Sequence, residues 1–94
     1  MKLLDNKKVR KEFCEFIYKG RMQKGLYQWE IAEMLGVTQA CYSQIERGIR
    51  EPSLTTILNI CRILELDFNE FVVEVSKRRK IHNKLEDEEN LATS

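Results

Sequence analysis

One glycine forces the middle of this chain to fold back on itself. From Gln28 to Pro52 the residues read QWEIAEMLGVTQACYSQIERGIREP. Ile31, Ala32 and Leu35 share one helical face, which predicts a short helix from about Gln28 to Leu35. Gly36 follows as its terminator, where a residue without Cβ takes left-handed backbone at least cost. Thr38 then offers a hydroxyl cap to a second helix, which runs to about Arg47 and stops at Gly48. A short loop closed by Pro52 completes the unit.

Helices flank this unit on both sides. Val9, Phe13, Phe16 and Ile17 follow i, i+4, i+7, i+8 spacing and predict a helix from about Val9 to Lys24, ended by Gly25. Gly20 inside it costs about 1 kcal/mol against alanine and reads either as a close-packing point or as a fray. After Pro52, Ser53 caps a fourth helix whose stripe is Leu54, Ile57, Leu58, Cys61 and Leu64. Asp67 and Glu70 frame a capping box for a fifth, with Phe68, Phe71, Val72 and Val75 at helical spacing. The β-branched Val72, Val73 and Val75 make a short strand the competing reading, and the capping box favours helix. Residues 1–8 read as a loose basic arm, 9–75 as the folded domain and 76–94 as a charged extension. In that extension Ile81 and Leu85 can prolong the fifth helix before a disordered end. The expectation is an all-α, five-helix domain.

Composition agrees. The 94 residues allow one domain, and 43% hydrophobic with 33% charged residues suits a small folded helical protein. A single Pro and four Gly leave little room for a many-turned β fold. No apolar run approaches the ~20 residues of a membrane span. The N-terminus places charges where a signal peptide has its apolar core, so a cytoplasmic location is expected. Cys14, Cys41 and Cys61, odd in number and widely spaced, give neither a disulfide framework nor a metal knuckle. Cys14 and Cys61 lie on apolar faces as buried thiols; Cys41 lies on the third helix, where exposure and a redox role stay open. The net charge of +1 hides an asymmetry: residues 1–50 carry ten Lys/Arg against six Asp/Glu, and 51–94 six against nine. A basic front and an acidic back suit a protein that faces a polyanion with one side.

These residues resemble the helix-turn-helix of the Cro/phage-repressor family of transcriptional regulators, from about Phe13 to Phe71. The resemblance implies a Cro/repressor-type fold that reads double-stranded DNA with its third helix in the major groove. On that helix Tyr42 and Ile45 point one way, while Gln39, Ala40, Ser43 and Gln44 form a polar face. Glutamine can pair with adenine through two bonds, and a small Ala40 permits close approach to a thymine methyl. Family members read bases with the first residues of this helix and with the position of Gln44. The family residue matching Gln28 binds phosphate and braces the reading helix, as a helix N-terminus allows. Tyr27 departs from the usual Ser, Thr or Asn and cannot cap in the same way, although its hydroxyl can reach a phosphate. Thr38 and Arg50 complete the expected backbone contacts, with Arg47, Lys19, Lys24 and the N-terminal lysines as weaker ones. Trp29, on the outer face, suits contact with DNA backbone or a partner as well as packing over a neighbouring helix. Arg21 and Glu46 match a family salt bridge between the first and third helices.

A small domain has limited contact area, so a homodimer on a palindromic operator is expected. Phe68, Phe71, Val72 and Val75 are its expected surface, with the end near Val72 and Val75 left open in a monomer. No cofactor or metal is expected, and nothing points to catalysis. His82 stands alone in a polar tail, and neither a phosphate-cradling loop nor a metal-spaced acid cluster is present. Two rival functions remain. One is an antitoxin-like module that docks a protein partner through residues 76–94; the other is an adaptor that uses these helices to bind protein.

Overall fold

The computed structural model describes residues 6–77, and these form five helices and no strand. They are α1 (Lys7–Lys24), α2 (Gln28–Leu35), α3 (Gln39–Glu46), α4 (Leu54–Ile63) and α5 (68–77). The strand alternative for the valines of α5 is therefore set aside. The proposed tail helix through Ile81 and Leu85, the disordered end and most of the basic arm lie outside the described residues.

Helix α1 begins at Lys7, two residues before the expected Val9. Asn6 Oδ1 accepts hydrogen bonds from the amides of Lys8 and Val9 at 2.9 and 3.3 Å, so the cap sits three residues before the first apolar position. Ser53 and Asp67 play the same part ahead of α4 and α5. Ser53 Oγ accepts from Thr56 N at 3.2 Å, and Asp67 Oδ1 accepts from Asn69 N and Glu70 N at 3.0 and 3.3 Å. Tyr27 supplies no side-chain cap to α2. Glu30 compensates by accepting the Tyr27 N–H at 2.9 Å, half of a capping box.

All five helices contribute to one core: Phe13 and Ile17 from α1, Ile31 and Ala32 from α2, Tyr42 and Ile45 from α3, Ile57, Ile60 and Cys61 from α4, Phe71 and Val75 from α5. The buried stripe of α4 is Ile57, Ile60 and Cys61, continued by Leu64, whereas Leu54 and Leu58 are 50% and 49% exposed. At 3.6 residues per turn Leu58 lies about a quarter-turn round from Ile57, off the arc that meets the neighbouring helices.

The stripe on α5 also needs correction. Phe71 and Val75 are buried within the monomer, at 6% and 4% exposure, so they cannot form a free dimer surface. For Phe71 the cover is an aromatic cluster with α1. Phe13 meets Phe68 and Phe71 edge-on at 6.3 and 5.7 Å, and Phe16 stacks on Phe71 at 5.0 Å. Phe68 and Val72 stay only partly buried. Gly20 is a close-packing point: a Cβ there would stand 2.6 Å from Leu66 Cδ1, in the connection between α4 and α5. Among the described residues no helix is long and apolar enough to cross a membrane.

Candidate nucleic-acid interface

Gly36, at φ 74°, ends α2 and turns the chain into α3, with Val37 N bonded back to Ala32 O at 3.0 Å. Thr38 Oγ1 then accepts from Cys41 N at 3.1 Å and caps α3 as the sequence predicts. Tyr42 and Ile45 anchor the helix, at 0% and 3% exposure. The opposite face is accessible: Gln39 and Ala40 are exposed, and Ser43 and Gln44 are half-buried. The four expected reading residues therefore share one side of α3, open at Gln39 and Ala40 and partly covered at Ser43 and Gln44.

An ion pair fixes that helix against α1. Arg21 donates from Nε and Nη2 to Glu46 Oε2 and Oε1 at 2.9 and 2.8 Å, and from Nη1 to Leu26 O at 2.9 Å. The two side chains are 11% and 5% exposed. Burial, the largest single influence, pushes the Glu46 carboxyl up, but the bonds and charge of Arg21, together with the nearby Tyr42 hydroxyl and Gln28 amide, hold the group below its ordinary value. The bond to Glu46 correspondingly raises Arg21, against its own burial. Gln28 Nε2 adds a longer contact to Glu46 Oε1 at 3.4 Å, so the Gln28 side chain turns inward and braces α3. The Tyr42 hydroxyl lies close enough to feel the Glu46 charge, yet it finds no partner at hydrogen-bonding geometry. Burial, then that charge, push its pKa well up.

The loop after α3 folds back on Gln44. The Gln44 carbonyl accepts from Ile49 N and Arg50 N at 2.9 and 3.2 Å, and Arg50 Nε donates to Gln44 Oε1 at 3.1 Å. No periodicity marks a partnership of two side chains six residues apart across a loop. Arg47 is exposed, whereas Lys24 Nζ is paired with Glu65 Oε2 at 2.7 Å. Lys19 lines a groove between α1 and α5 among Glu12, Glu15, Glu70 and Glu74. Tyr27 and Trp29, at the start of α2, are 67% and 52% exposed and stand outside the core.

The cysteines are free among the described residues. Cys14, only half-buried, donates its thiol to Ile45 O at 3.4 Å. Burial pushes the Cys14 thiol up, and it raises Cys61 to about 11. Both stay protonated at neutral pH. No group of acids, cysteines and histidines among the described residues could hold a metal ion.

A short helix capped at its free end, its polar face open and its back locked to the core, defines a helix-turn-helix domain. The chain belongs to the Cro/C1-type helix-turn-helix family of DNA-binding transcriptional regulators, whose model HTH_3 matches residues 17–71. That membership rests on the helix-turn-helix segment, which takes in α2 and α3 whole. Two similar proteins come from Bacillus subtilis strain 168, both described as uncharacterized HTH-type transcriptional regulators. YqaE is 40% identical over 57 residues, 61% of this chain and 49% of YqaE. YqaF is 31% identical over 70 residues, 74% of this chain and 92% of YqaF. The chain thus spans about half the length of YqaE. The solved structure of the clp gene regulator ClgR from Corynebacterium glutamicum shares the fold. Its TM-score is 0.64, with 23% identity and 87% of each chain covered.

Proposed function

We propose that this chain binds a specific double-stranded DNA operator as a homodimer and regulates transcription there. Its third helix enters the major groove, where Gln39, Ala40, Ser43 and Gln44 meet base edges. Gln28, Tyr27, Thr38 and Arg50 hold the flanking phosphates. In the first turn of α2 the amides of Glu30 and Ile31 bond back to Tyr27 O, which leaves those of Gln28 and Trp29 to suit a phosphate, and the outward Tyr27 and Trp29 side chains lie beside them. The observation that carries this reading is the contrast across α3. Gln39 and Ala40 are exposed, while the other side is fixed by Tyr42, Ile45 and the Arg21–Glu46 pair. Fixing a helix this firmly supports a defined docking angle. Phe68 and Val72, the partly covered members of the α5 stripe, are the proposed dimer contacts.

Selection from a random duplex pool tests the reading. It should enrich a two-fold motif with half-site centres about one turn of B-DNA, ~10 bp, apart. Recovery of unenriched DNA at every salt concentration would leave the protein-adaptor function as the better account.

A further inference from the structure

The bond between Arg50 and Gln44 bears on which base is read. We infer that Arg50 is a specificity-positioning residue: it holds the Gln44 carboxamide with its nitrogen outward, so that the pair reads guanine where an unrestrained glutamine reads adenine. The inference rests on the proposed placement of α3 in the major groove.

Three observations support it. First, Arg50 is tied to Gln44 by its main chain as well as its side chain, through Arg50 N to Gln44 O at 3.2 Å and Arg50 Nε to Gln44 Oε1 at 3.1 Å. Second, the loop is anchored beyond this point, since Glu51 pairs with Arg10 of α1 at 3.7 Å. Third, a guanidinium can only donate, so the oxygen of the carboxamide must be the atom that faces it. The orientation of Gln44 is thereby set by chemistry.

The consequence follows from what each purine displays in the groove. Adenine offers an acceptor at N7 and a donor at N6; guanine offers two acceptors, N7 and O6. A glutamine that pairs with adenine must accept the N6 hydrogen on Oε1. Here Arg50 already donates to that oxygen and sets a positive charge beside it, which disfavours the approach of the N6 amino hydrogens. The Nε2 hydrogens of Gln44 remain outward. The Nη groups of Arg50 add further donors and can still reach a phosphate. An array made of donors matches guanine.

The test measures binding to duplexes that differ at one base pair, the one whose preference disappears in Gln44→Ala. Wild type should prefer guanine there over adenine by on the order of tenfold. Arg50→Ala frees Oε1 and should move the preference toward adenine, beside any general loss from a missing phosphate contact. Arg50→Met, which keeps the stem without a donor, should do the same and guards against a loop effect peculiar to alanine. In the Gln44→Ala background, Arg50→Ala should leave base preference unchanged. Equal loss on guanine and adenine duplexes in both Arg50 variants would overturn the inference, as would a wild-type preference for any other base. Failure of the underlying reading looks different: Gln44→Ala then alters preference at no position, and the inference falls with it.

Discussion

Arg21 grips both carboxylate oxygens of Glu46, at 2.9 and 2.8 Å, while its third nitrogen binds the Leu26 carbonyl at 2.9 Å. One side chain thus joins α1, the connection into α2 and the end of α3. Both charges are nearly excluded from water, so removing one strands the other. Arg21→Ala should cost about 3–5 kcal/mol in denaturant unfolding. Adding Glu46→Leu should recover a large part of that loss. A single-variant loss below about 1 kcal/mol would place the pair in solvent instead.

The same pair sets a pH dependence. The folded Glu46 carboxyl lies below its ordinary value of 4.5, because Arg21, with Tyr42 and Gln28 beside it, more than offsets burial. Its stabilising contribution is therefore fully present above about pH 4.5 and is lost as pH falls through the lower folded value. Glu46→Gln should be less stable at neutral pH and should lose less on acidification. Unfolding free energies from about pH 6 to about pH 3 check this, and parallel curves for the two proteins would refute it.

Gly20 faces two opposed effects. Alanine should gain about 1 kcal/mol of helix propensity. Its Cβ would meet Leu66 Cδ1 at 2.6 Å, however, and displacing a packed side chain costs about 1–3 kcal/mol. Gly20→Ala should therefore lower the melting temperature slightly. In a Leu66→Ala background the same change should be neutral or stabilising. Equal effects in both backgrounds would show that Leu66 is not the obstacle.

Assembly separates neighbouring valines of α5. Val75 is 4% exposed, so Val75→Glu should unfold the monomer. Val72 is only partly covered, and Val72→Glu should weaken dimerisation and operator affinity while keeping helical circular dichroism near wild type. Sedimentation beside circular dichroism distinguishes them. A wild-type monomer at micromolar concentration that binds one half-site tightly would rule out the dimer.

Much of the scaffold is legible in the sequence, because punctuation there is local. Gly36, Thr38 and Ser53 mark element ends by their own chemistry, and the inward Tyr42 and Ile45 follow from spacing alone. Packing partners are less legible. The apolar positions of α4 cover a wide arc, and only the neighbours decide that Ile60 faces the core while Leu58 stays half-exposed. The cover on Phe71 comes from Phe13 and Phe16, far back in the chain, so no local pattern reports it. At the interface, the Arg21–Glu46 pair came from family resemblance and not from spacing. The inward turn of Gln28 and the bond from Arg50 to Gln44 depend on tertiary geometry.

The most direct measurement compares Gln44→Ala with wild type on the selected operator and on unrelated duplex at equal salt. If α3 reads bases, the variant should lose about 1–3 kcal/mol on the operator, relax preference at one position and bind unrelated DNA as wild type does. Equal loss on both duplexes would assign Gln44 to the phosphate backbone. No loss on either would contradict the placement of this helix in the groove.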